Sequence, residues 1–126
     1  MSYEIETHKE GNVLHVTVRG TRTKEAVVRL SAEVMEACRR EQTPRVLIDV
    51  RQLGGRLDML ESFEIPTVTF PEIRDPSVLE KAVVVDLPEF ESSFRFFESV
   101  ARNRGFNFRI FGDPDAARTW LLQDEE

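Results

Sequence analysis

Three aspartates fall where an α/β chain would place chemistry. Asp49 lies in the apolar run Val46–Val50, Asp86 follows Ala82–Val85, and Asp113 follows the alternating run Phe106–Ile110. Carboxylates at the carboxyl ends of parallel strands can converge on a divalent cation, which would make a Mg²⁺-dependent enzyme at that edge. Helix capping and bonding to backbone amides explain the same residues without a metal. Arg51 and Arg56 flank Gly54-Gly55 ahead of a helix, a pattern that can present amides to an anion. The spacing is not that of a P-loop or dinucleotide fingerprint, and a tight turn accounts for both glycines. His8 and His15 are the only histidines. Their odd separation places them on opposite faces of a regular pleat, which argues against a shared metal or acid–base pair. There is no Ser-His-Asp order or nucleophile elbow. Cys38 falls on the apolar stripe of a helix, where a thiol behaves as a small hydrophobe. These residues supply no catalytic constellation, and no cofactor is expected.

The elements that would position them follow from periodicity. Tyr3, Ile5 and Thr7 alternate with polar residues, as do Leu14, Val16 and Val18, and Gly11-Asn12 between them suits a hairpin turn. Thr21 or Thr23 can cap a helix whose stripe runs through Ala26, Leu30, Val34 and Cys38, ending before Thr43-Pro44. Val46–Val50 and Ala82–Val85 read as strands buried on both faces. Leu57–Phe63 starts a short helix, and Pro66, Pro71 and Pro76 break any long regular helix beyond it. Phe90, Phe94, Phe97 and Ala101 stripe the next helix, which Gly105 ends, leaving Phe96 to face a pocket or partner. Asp113-Pro114 starts the last helix. The order is ββαβαβαβα: one α/β domain over residues 1–126, a mixed sheet with an N-terminal antiparallel hairpin and parallel core strands.

Bulk properties narrow the function classes. The chain of 126 residues is 40% hydrophobic and 32% charged with a net charge of −6. That balance suits a soluble domain and disfavours nucleic acid as a partner. A single cysteine rules out an internal disulfide. No apolar run approaches the ~20 residues of a membrane span, and the acidic start lacks a signal-peptide pattern, so the cytoplasm is the expected compartment.

The stretch from Val46 through Leu53-Gly-Gly-Arg-Leu-Asp58 resembles the SpoIIAA-like group of the STAS superfamily. The later pieces Lys81–Asp86, Arg95–Gly105 and Phe111–Leu121 agree in order. The resemblance implies a STAS-type fold in a bacterial intracellular setting. In the anti-sigma factor antagonists of that group, a serine near the start of the helix after the third strand is phosphorylated and controls partner binding. Leu57–Leu60 carries no hydroxyl here, so that switch is not carried over. Uncharacterised members are also described as similar to lipid-binding Sec14 domains. The expected function is therefore a non-catalytic regulatory or protein-interaction module. Its binding face would draw on Asp49, Arg51, Gly54, Gly55, Arg56, Asp58, Met59, Phe63 and Phe70. The alternative is binding of a small apolar or acyl ligand beneath Phe63–Ile73. That segment and the outer hairpin strand could also pair two copies of the chain.

Overall fold

The computed structural model describes residues 2–124. Five strands form one sheet in the order β1-β2-β3-β4-β5. Strand β1 (Tyr3–Glu10) pairs antiparallel with β2 (Val13–Thr21). Strands β3 (Arg45–Gly54), β4 (Lys81–Val85) and β5 (Phe108–Phe111) then add in parallel. This is the mixed α/β sheet expected from the periodicities.

The register of the hairpin corrects one expectation. His8 and His15 are direct cross-strand partners, their ring centroids 6.0 Å apart. Alternation assigns faces along one strand, but residues opposite one another across a turn share a face whatever their separation in sequence.

Helix α1 (Lys24–Glu41) starts at Thr23, whose side chain accepts from the Ala26 amide, and ends at Gln42 in a left-handed conformation. Its buried stripe, Ala26, Leu30, Val34 and Cys38, packs with Leu14, Val16, Val18 and Val46 of the sheet. Burial pushes the Cys38 thiol pKa up, in keeping with an inert core residue. Helix α4 (Glu91–Asn103) packs Phe94 and Ala101 on Phe108 and Ile110 of β5. Helix α5 (Pro114–Leu122) covers the opposite face, sealing Val83 and Val85 with Ala117 and Leu121.

The segment between β3 and β4 has no long regular helix, as its prolines imply, but it is helical in short pieces. Helix α2 (Met59–Glu64), a π-helical turn over Ile65–Thr69 and helix α3 (Phe70–Ile73) follow without a break. Pro66 and Pro71 each enter at the first or second residue of a new stretch. The Phe70 amide reaches back five residues to the Ile65 carbonyl. Widening the helix in this way accommodates prolines that a regular α-helix interior would not.

Candidate functional site: an apolar cavity with a charged end

Helix α1 lies over β2 and helix α4 over β5, so the middle of the sheet is left without a helix directly on it. Ile48, Ala82 and Val84 on this face are only half-buried, whereas Val83 and Val85 on the α5 face are fully buried. The space above them is a cavity of about 410 Å³. Native interiors seldom leave voids much larger than a water molecule, and ~300–1,000 Å³ is the range of small-ligand sites. The sheet supplies Ile48 and Val84 as the floor, Leu30 of α1 and Phe94 of α4 form the walls, and Phe70 and Ile73 come from the roof. The roof is the α2–α3 segment, whose main contacts are with α1 and α4. Phe70 anchors it by edge-on contacts with Phe97, Phe106 and Phe108 at 5.5–5.7 Å.

One end of this apolar space is charged. Asp86, only 2% exposed, follows β4 on the cavity face. Arg22 donates to it through Nη1 at 3.0 Å and Nη2 at 3.4 Å. Arg56 adds contacts of 3.2 and 3.0 Å, and the Leu87 amide donates at 2.8 Å. Burial alone would raise the Asp86 pKa, but the two guanidiniums and that amide hold it below the ordinary carboxylate value. Arg22 also donates to the Val50 and Leu53 carbonyls. Strand β3 carries an extra residue between Asp49 and Gln52 relative to β2, a bulge that turns Val50 and Leu53 to the same face. Arg22 thereby ties the bulged end of β3 to the end of β4. Arg56 stacks on Phe90, its guanidinium carbon 4.3 Å from the ring centroid.

The residues expected to form a site do not gather in one place. Asp49 sits in register with Val85, on the α5 face, and bonds Arg51 through its side chain and amide. Burial would raise its pKa, and those bonds lower it. Gly54 is the last residue of β3, and its carbonyl accepts from the Arg22 amide. Gly55 makes the turn at φ +86°. Asp58 caps α2 in a reciprocal box with Glu61. Met59 and Phe63 lie on the exposed outer side of α2, while Arg56 and Phe70 line the cavity.

The three aspartates do not converge. Asp49 and Asp86 lie on opposite faces of the sheet, and Asp113 caps α5 by accepting from the Asp115 amide. Among the described residues no group of three His, Cys, Asp or Glu side chains is arranged to hold a metal ion. Arg22 was not singled out by sequence. Its only signal there is indirect: a buried aspartate needs a cation, and several arginines were available.

No protein-family model matches the chain, and no curated protein matches it in sequence. Solved structures do. An anti-sigma factor antagonist from Mycobacterium paratuberculosis superposes with a TM-score of 0.60 at 16% identity, covering 97% of this chain and 96% of that one. An uncharacterised protein with a SpoIIAA-like fold from Shewanella loihica gives 0.55 at 18% identity, covering 96% and 94%. With its five-stranded mixed sheet and antiparallel first pair, the chain has the SpoIIAA-like fold.

Proposed function

We propose that the protein is a non-catalytic regulatory module that docks a partner protein through the outer face of α2 and the turn after it. The observation that carries this reading is a set of exposed large apolar side chains: Met59 at 74%, Leu60 at 65%, Phe63 at 43% and Val68 at 55%. Apolar groups gathered on one short segment mark an interaction surface, whereas scattered ones need no explanation. Their position supports it too, since they follow the β3 turn of a fold shared with an anti-sigma factor antagonist. Docking is read as independent of phosphorylation. Leu57–Leu60 has no hydroxyl, and Ser62, one turn on, is buried at 6% exposure, out of a kinase's reach.

Affinity capture from the native cell extract tests this, comparing wild type with Met59→Glu/Phe63→Glu. Both side chains are exposed, so the double variant should unfold at the same urea concentration as wild type. A specific protein retained by wild type and lost from the variant is expected. The same set captured by both would sink the reading, as would none by either.

A second reading, binding of a small apolar or acyl ligand, is favoured by the cavity of about 410 Å³ beneath the same segment.

A further inference from the structure

The cavity and its charged end together define a ligand class. We propose that the cavity binds a medium-chain carboxylate, its alkyl tail lying along the sheet and its head group at Arg22 and Arg56. This inference rests on the ligand-binding reading and adds to it the charge and the orientation of the ligand.

Charge balance carries the argument. Arg22 and Arg56 both face Asp86 and line the cavity, which leaves one net positive charge at that end. The Arg22 side chain is 10% exposed and that of Arg56 24%, and the buried Nε of each has no hydrogen-bond partner among the described residues. A buried charge without a counter-charge is costly, and a monoanion at this end would offset it. Asp49 does not serve, because it is engaged by Arg51 on the other face of the sheet. A carboxylate also suits the guanidinium geometry, which favours planar, bidentate acceptors.

Length and apolarity specify the tail. The floor runs along β4 from Ala82 and on to Asp86 just beyond it, about 13 Å at ~3.3 Å per residue, suited to an alkyl chain of about ten carbons. Ile48, Val84, Phe94 and Phe97 along that path offer a tail no hydrogen-bonding side chain. At the far end Arg74 donates to the Gly105 carbonyl and stacks on Phe106 at 4.7 Å. That residue offers the alternative place for a head group, and it provides the internal control.

Calorimetric titration of the full chain with decanoate and with decanol tests the proposal. Decanoate is expected to bind about tenfold more tightly than decanol, the scale of a charged hydrogen bond. Arg56→Gln leaves Arg22 and Asp86 as a neutral pair and should abolish that preference. Arg74→Gln should keep it. Equal binding of both probes to wild type would overturn the anion assignment and leave an apolar-ligand site standing. Binding of neither would overturn both. Loss of the preference in Arg74→Gln alone would put the head at the opposite end and refute the orientation. The wild-type comparison decides the charge question even should a variant fail to fold.

Discussion

Replacing Asp86 by alanine should cost this protein a large share of its stability. The carboxylate takes hydrogen bonds from Arg22, Arg56 and the Leu87 amide at 2.8–3.4 Å while only 2% exposed. Its removal leaves two guanidiniums facing each other in a poorly solvated site. It also removes the anchor through which Arg22 holds the Val50 and Leu53 carbonyls. Breaking a buried ion pair from one side costs about 3–5 kcal/mol, against a total stability of roughly 5–15 kcal/mol for a domain. With a urea slope of about 2 kcal/mol/M, the unfolding midpoint should fall by about 2 M at unchanged slope. The pH dependence gives a second check. The folded pKa of Asp86 lies below its unfolded value, so its contribution is complete above about pH 4 and lost as pH falls through the folded value. The gap between wild type and Asp86→Ala should therefore narrow in acid. A cost under about 1 kcal/mol at neutral pH, the range of exposed pairs, would refute this account of the cluster.

Two further substitutions separate elements that look alike in sequence. Gly54→Ala should change stability by less than about 0.5 kcal/mol, because a Cβ there meets only the Gly20 carbonyl oxygen at 3.7 Å. Gly55→Ala should cost about 1–2 kcal/mol in the same urea titration, since φ is +86° and a Cβ would lie 3.2 Å from the Arg22 carbonyl oxygen. Glu98→Ala should expose the edge of the sheet. Glu98 accepts from the outward Ile110 amide at 2.7 Å, so hydrogen exchange of that amide should accelerate and stability fall by about 1–3 kcal/mol.

The sheet was legible because its buried strands are written in apolar runs. Val46–Val50 and Ala82–Val85 are apolar on both faces: α5 covers Leu47, Val83 and Val85, α1 covers Val46 and Val50, and Ile48, Ala82 and Val84 face the cavity. The helix cap Asp113 was legible for a similar reason, and Thr23 as one of two candidates with Thr21: few residue types can satisfy a helix start, and they stood at a strand exit. What escaped depends on register and on partners distant in the chain. The β3 bulge has no sequence mark, yet it determines which carbonyls Arg22 meets. The His8–His15 pairing depends on the turn length, not on the parity of their spacing. Arg22 and Asp86 are separated by 64 positions, and nothing local distinguishes Arg22 from Arg51, which pairs with Asp49 instead. The prolines between β3 and β4 exclude a long regular α-helix, but they do not mark the π-helical turn that carries the chain past them.

The proposed docking face and the cavity are two sides of one element. On the segment from Met59 to Ile73, Ser62, Ile65, Pro66 and Thr69 turn inward while Met59, Leu60, Phe63 and Val68 turn outward. Its supports are α1 and α4, and it rests mainly on them while the sheet lies beneath the cavity. Filling the cavity would therefore add contacts to the inner side of the same segment whose outer side presents the apolar patch. A ligand that binds one arrangement of this segment more tightly than another must shift its population toward that arrangement. A partner reading the outer side would sense the shift through a coupling free energy equal in both directions. The interaction reading and the ligand reading thus assign different surfaces of one helical span, and its π-helical turn is the place where the two would meet.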